Sequence, residues 1–359
     1  MIIFLLTIIY LSSFWFYIFP SGAIQPGFAF IILCLPFLVM YSKNIKIPKV
    51  VIIFALFLFA AFFVNTVSLF LIQEGVEFLV NNLQIIYAIL ILIFFTIFFE
   101  SKLLTKLQFG HTLSFFLVIN IVLWGLGLGN YEFFPRYNGF LTDPNQFSFA
   151  TICFSFLAIS MYKKKSSRIF VWFMAAFLII LSASRSGLIG FMGGTFLLLP
   201  NRLKILFSLM GATVIFIIFT FVESDLVYRF SSIDIFFEFW QRGLYRLVEF
   251  PQYLLFGVGK GMDERFGYSL LEVHSTPAAI LFYYGLIPFL LFYTSLLLCF
   301  KQTNKFGKSL ILAMVLYSLT TYNVRTPVFW FAIAASITCL RTDFKEKNII
   351  TPPILTSKL

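Results

Sequence analysis

The sequence predicts an all-α, polytopic integral membrane protein. About twelve transmembrane helices form one domain over residues 1–359, with one large loop, 223–273, between the ninth and tenth spans. Three observations predict this. Hydrophobic residues make up 60% of the chain and charged residues 11%, with 52 phenylalanines, more apolar surface than a soluble domain of this length can cover. The apolar residues come in runs of about 20, the length that crosses a bilayer. Between the runs, Lys and Arg fall mainly in every second break, as they do when one side of a membrane collects them.

Taken in order, the stretch MIIFLLTIIYLSSFWFYIF has no basic leader and no clear A-x-A site, so residues 2–19 read as a first span rather than a signal peptide. The next three runs, 24–41, 50–72 and 83–99, are separated by breaks that include Lys43, Lys46 and Lys49. The fifth, 108–128, runs into the glycine-rich GLGLGN, and the sixth, 144–162, starts after Asp143-Pro144, a turn pair suited to opening a helix. The ninth, tenth, eleventh and twelfth fall at 205–222, 275–299, 309–322 and 327–340. Cys34, Cys153, Cys299 and Cys339 all lie within spans and none has metal-ligand spacing, so neither disulfide nor zinc is expected.

The seventh and eighth spans, 168–183 and 187–203, share the stretch LSASRSGLIG around Arg185. A guanidinium at a helix centre in a bilayer costs about 2.5–3.5 kcal/mol. One long helix through Arg185 would also carry Lys301, Lys305 and Lys308 to the other side of the membrane. Two spans meeting at Ser184–Gly187 leave 18 of the 26 basic residues on one side, read as cytoplasmic together with both termini. Gly187 is expected to supply the backbone freedom of the turn. The net charge of +11 is then mostly an orientation signal rather than a nucleic-acid footprint. The larger set is mostly Lys. The other side holds Arg136, Arg185, Arg229, Arg242, Arg246, Arg265 and Arg325 with a single lysine, Lys260. Lys suffices for orientation, whereas Arg grips phosphate through a planar fork. An Arg-rich outer face with no topological reason to be basic points to an anionic ligand.

Three outer segments carry the remaining signal. GNYEFFPRYNGFLTDPNQFSFA, 129–150, sets Arg136, Asn138, Asp143 and Asn145 among aromatics and prolines, and reads equally as an ordinary capped loop. In 223–273, Ile233, Phe236, Phe237, Trp240, Leu244, Leu247 and Val248 recur at helical spacing, predicting an amphipathic helix over 233–248 lying flat on the outer interface and ended by Pro251. Glu238, Arg242, Arg246 and Glu249 on its other face also fit a solvated charged surface. In 255–288, Gly257, Gly259 and Gly261 surround Lys260 without Walker spacing, and His274 stands at the mouth of the tenth span beside Glu272 and Ser275. His111, near the inner end of the fifth span, has no polar company in the sequence.

SASRSG at 182–187, R-Y-N-G-F-x-x-D-P-N at 136–145, and H-S-x-x-x-x-x-L-x-x-x-G at 274–285, with Arg246 and Gly257 in a large late loop, together resemble the O-antigen polymerase and O-antigen ligase superfamily. The likeness covers about residues 129–290. It departs at Ser275, often Asn in the family, and at Pro288, near where a second Gly is common. The resemblance implies a bacterial inner-membrane glycosyltransferase of the C-class helical fold with a periplasmic active site. Its donor and acceptor would be undecaprenyl-diphosphate-linked oligosaccharides. A polymerase extends the glycan on a new lipid-linked repeat unit, with a chain-length regulator as an expected partner; a ligase joins the glycan to lipid A–core. The twelve-span layout favours polymerase.

In that chemistry a sugar hydroxyl attacks an anomeric carbon and the diphosphate leaves, so charge on the diphosphate must be stabilised where it forms. No carboxylate pair has metal-ligand spacing, and the expectation is metal-independent catalysis with no cofactor. Arg185 and Arg246, assisted by Arg242 or Arg136, are the expected diphosphate clamp. His274, or alternatively Asp143, is the expected base, and Asn145, Arg325 and Lys260 complete the substrate-binding set. A flippase for the same lipid-linked sugar is the rival from another class. It would place polar groups near the midplane on broken, repeated helices, and repeated halves are not seen here.

Overall fold

The computed structural model describes residues 26–41, 45–72, 76–101, 105–131, 136–139, 141, 143–204, 239–240, 242–260, 263–266 and 272–342. The expected spans 2–19 and 205–222, Arg229, Gly261 and the start of the amphipathic helix lie outside the described residues.

Helices dominate, and among the described residues there is no β-strand, only the isolated bridge between Thr303 and Arg341. In chain order the helices are α1 (Pro26–Tyr41), α2 (Lys49–Ile72), α3 (Val76–Glu100), α4 (Lys106–Gly125), α5 (Pro144–Met161), α6 (Lys165–Ser182) and α7 (Arg185–Leu198). They continue as α8 (Arg246–Glu249), α9 (Tyr253–Phe256), α10 (Thr276–Tyr284), α11 (Leu286–Gln302), α12 (Lys305–Ser318) and α13 (Pro327–Cys339), with a 3₁₀ turn at Asp263–Phe266. Four of them, α2, α3, α4 and α6, are long and apolar enough to cross a membrane, and α11 and α13 are shorter apolar helices. The chain is a helical, multi-pass membrane protein.

Packing follows from which helices are apolar all round. Val328 to Thr338 of α13 are all buried, as are nearly all residues of α5, so these two helices form the interior. α13 packs on α3 through Phe331 against Phe95 and Phe99, and Trp330 stacks against Phe57 of α2. α12 lies along α7, where Gly190 faces the Ala313 carbonyl and Gly194 the Ala313 side chain. The outer helices turn large apolar side chains outward, such as Phe59, Phe70, Phe173 and Ile180, each more than 60% exposed. In water that surface would be a liability; against lipid it is the stable arrangement.

The basic residues separate by end. At one end Arg168 donates to the Tyr162 carbonyl, Lys305 donates to the Leu198 carbonyl, and Lys308 lies over Phe300. Here His111 does have polar company: its Nδ1 is 3.1 Å from the Tyr162 hydroxyl, which the sequence separates by a helix and a loop. At the other end lie Arg136, Arg185, Arg242 and Arg325, at the α5, α7, α10 and α13 N-termini and the α6 and α12 C-termini.

Three expectations are corrected. The seventh and eighth spans do divide, but the left-handed residue is Ala183 (φ 46°), not Gly187. Gly187 is helical and is needed for space: a Cβ there would stand 2.6 Å from the Ser148 hydroxyl. Second, one helix does not run through 233–248. The Leu244 and Gly243 amides return to the Phe239 and Trp240 carbonyls, with Gly243 left-handed, a Schellman stop that ends the helix before α8 begins. Third, the tenth span is broken. Gly285 (φ 87°, ψ −177°) separates α10 from α11 and faces Gly257 (φ 79°, ψ 163°), both in a region of backbone space that glycine alone occupies readily. Val258 and Gly259 amides donate to the Phe282 and Tyr283 carbonyls, the groups a helix C-terminus leaves open, and Arg265 donates to the Val258 and Gly259 carbonyls. The nine residues of α10 place this break about 13 Å below the helix start. So the part of the 223–273 loop that follows Pro251 runs inward alongside α10. Irregular backbone is stable at such depth because protein encloses it and its polar groups are paired.

Candidate functional site

The Arg-rich end is assembled from helix termini and loops, in three connected patches. In the first, Asp143 caps α5, its Oδ1 accepting from the Asn145 amide at 2.7 Å. The Asn145 side-chain oxygen then accepts from Arg136 Nη2 at 3.0 Å and from the Ser184 hydroxyl at 2.9 Å. Arg136 Nε donates to the Ser182 carbonyl at the end of α6, and Ser184 caps α7 by accepting from the Gly187 amide. One amide side chain thus ties three helix ends together. Arg185 follows Ser184 as the first residue of α7, half-buried; there the helix dipole also favours an anion.

In the second patch the connection after α12 joins α7 to the long loop. The Thr320 hydroxyl is 2.5 Å from that of Ser186, and the Thr320 carbonyl accepts from Arg242 Nη1. The Arg242 carbonyl accepts from the His274 amide at 2.9 Å, which places the histidine. Thr276 binds the Thr321 carbonyl through both its amide and its hydroxyl, fixing the start of α10.

The third patch is an ion-pair cluster. Glu272 receives Lys260 Nζ on one oxygen at 2.7 Å and Arg325 Nη1 on the other at 2.6 Å. Lys260 is held from all sides: its amide donates to Asn65, its carbonyl accepts from Asn81, and its ammonium lies 4.9 Å over the Tyr322 ring. Asn65 in turn donates to Asn82, so amide side chains inside α2 and α3 hold the loop backbone. Beside the cluster is a small cleft lined by Phe57, Leu58, Ile85, Lys260, Tyr322 and Arg325.

Burial works to raise the Glu272 carboxyl, but Lys260 and Arg325 outweigh it and hold it at about 2. His274 reaches solvent on one side, yet the protein around its ring lowers its pKa. Glu272 opposes that shift, Arg325 and Arg242 add to it, and Asp143 opposes it again. The His274 amide is bonded to the Arg242 carbonyl and the residue follows Glu272 by two positions, so it stands where the second and third patches meet.

Of the residues singled out in the sequence, the fold joins Arg136, Asp143 and Asn145 in the first patch, Arg242 and His274 in the second, and Lys260 and Arg325 in the third. Arg246 is different: it is fully buried, with Nε donating to the Tyr245 hydroxyl and the guanidinium 5.4 Å over Phe266. Glu272, Asn65, Asn81, Thr320 and Tyr322 were not among the chosen residues. An amide inside an apolar helix is a usable signal, since a buried amide needs a partner; Thr320 and Tyr322 carry no local mark. Among the described residues no group of three His, Cys, Asp or Glu could hold a metal ion. A scan against protein-family models finds no family that matches the chain, and a search of curated proteins finds no match.

Proposed function

We propose that the chain is a glycosyltransferase of the O-antigen polymerase type, with about twelve spans in a bacterial inner membrane, cytoplasmic termini and the Arg-rich end in the periplasm. The observation that carries this reading is the meeting of Arg136, Asp143, Arg185, Arg242 and His274 at one end, brought there by separate helix termini. In the mechanism, Arg185 at the α7 N-terminus, with Arg242 and Arg136 beside it, stabilises charge developing on the leaving undecaprenyl diphosphate. His274 takes the proton from the attacking sugar hydroxyl of the lipid-linked acceptor, with Asp143 as the alternative base. Arg246, enclosed between Tyr245 and Phe266, supports the loop beneath the site rather than touching substrate. A chain-length regulator is the expected protein partner.

The test is Arg185→Lys, followed as glycan ladders from cells and as extension of purified lipid-linked repeat units. Lys keeps the charge and loses the fork, and transfer should fall by about 100-fold. Undiminished transfer by a membrane-inserted variant refutes the clamp. In a strain lacking the gene, one repeat on the core fits a lost polymerase and none a lost ligase.

A flippase is the second reading, favoured by the break between α10 and α11 within the expected tenth span. Against it, the α10 carbonyls exposed by the break are taken by Val258 and Gly259 of the same chain. Reconstitution with labelled donor separates the two: longer glycan supports the transferase, and sidedness change without elongation supports the flippase.

A further inference from the structure

Glu272 has no role in the reading above, yet it is the centre of the third patch. Its side chain is only 15% exposed and each carboxylate oxygen holds one cation. Those cations come from separate segments, Lys260 on the inward-running loop and Arg325 on the connection into α13. The same irregular segment that carries Glu272 carries His274 two residues later. Glu272 carries Arg325 and Lys260 with it, and the His274 amide is bonded to the Arg242 carbonyl. These charges, with Asp143 at the α5 cap, are the ones that act on the imidazole.

We propose that Glu272 is a positioning residue for His274: by holding Arg325 and Lys260 on its two oxygens, it sets the charge that the imidazole faces. The use made of the histidine rests on the proposed transferase reading; the positioning itself does not. Burial, Arg325 and Arg242 disfavour the imidazolium, and Glu272 and Asp143 favour it. Replacing the carboxylate with an amide keeps the shape and leaves two cations without their counter-charge. The imidazolium then becomes less stable, and the ring loses its proton at lower pH.

The experiment uses the full chain in nanodiscs with ¹³C-labelled histidine. The chain has two histidines, and His111 lies at the opposite end, so its signal reports folding while His111→Gln assigns the pair. In Glu272→Gln the His274 midpoint should move down by about one pH unit, with the His111 signal unchanged. In Arg325→Gln it should move up. An unmoved or raised midpoint in folded Glu272→Gln overturns the proposal. Should Glu272→Gln not fold, the opposite sign expected of Arg325→Gln decides alone, and an unmoved or lowered midpoint there overturns it. Transfer rates give a separate arm. A base must be deprotonated, so the acid limb of the rate profile should move to lower pH with the NMR midpoint. A midpoint that moves while the rate limb stays fixed supports the positioning and removes His274 as the base.

Discussion

The two ends of the helix bundle carry like charge and use it differently. At the Lys-rich end, cations meet uncharged partners near the surface: Lys305 a carbonyl, Lys204 an asparagine and a ring, Lys308 a ring. At the Arg-rich end they are embedded in shared networks, such as the Asn145 oxygen between Arg136 and Ser184, or Glu272 between Lys260 and Arg325. Surface pairs contribute tenths of a kcal/mol, whereas breaking a buried network leaves desolvated groups without partners. Orientation in a membrane needs only charge. A binding site needs charge held in place, and the shared networks that hold it lie at the Arg-rich end. Side-chain helix caps, by contrast, occur at both ends, Thr105 and Asn304 at one and Asp143 and Ser184 at the other.

That contrast predicts unequal sensitivity. The largest effect should come from Gly257→Ala. Its Cβ would stand 2.5 Å from the Tyr283 carbonyl oxygen, on a backbone with φ of 79°. Strain and overpacking together should destabilise the detergent-solubilised protein by about 3 kcal/mol or more, read as a lowered apparent Tm. Gly285→Ala meets the Leu255 carbonyl at 2.6 Å and should behave alike. Near-normal stability of both variants would mean that the loop does not seat in the helix break.

This break is also where sequence reading fails most plainly. Hydropathy registers 275–299 as one apolar run, because glycine within such a run says nothing about backbone angle. The cause lies in Gly257, distant in sequence and meaningful only once the loop turns inward. The split at Ser184 was legible because charge placement accumulates over the whole chain, so a misassigned turn would transfer several lysines across the membrane. Its geometry was not: a left-handed alanine runs against local preference, and only the packing of Gly187 on Ser148 explains why the glycine is used elsewhere. The residues gathered at the Arg-rich end were legible by type and by their shared end of the bundle. The amides that hold them were visible only as polar exceptions in apolar helices, and the Thr320 bridge between Ser186 and Arg242 left no trace.

A middle-sized effect belongs to Ser184→Ala. The hydroxyl caps α7 through the Gly187 amide and donates to Asn145, so its loss should cost about 1 kcal/mol. It should also loosen Arg185, the next residue. The expected outcome is a modest drop in Tm with a larger proportional loss of transfer in reconstituted vesicles. Equal losses in both would place Ser184 in stability alone.

The smallest effect should come from Lys305→Ala at the opposite end. Its ammonium donates to the Leu198 carbonyl at 2.9 Å, in an exposed position. Removing it should change stability by less than about 0.5 kcal/mol and leave transfer intact, because the carbonyl it releases can bind water. Replacing Lys301, Lys305 and Lys308 together should instead disturb which way the neighbouring helices insert, scored by cysteine accessibility from each side of the membrane. Stability unchanged and orientation disturbed is the signature of charge acting through topology. A triple variant that inserts normally but loses transfer would show the Lys-rich end taking part in the reaction, and the division of labour between the two ends would fail.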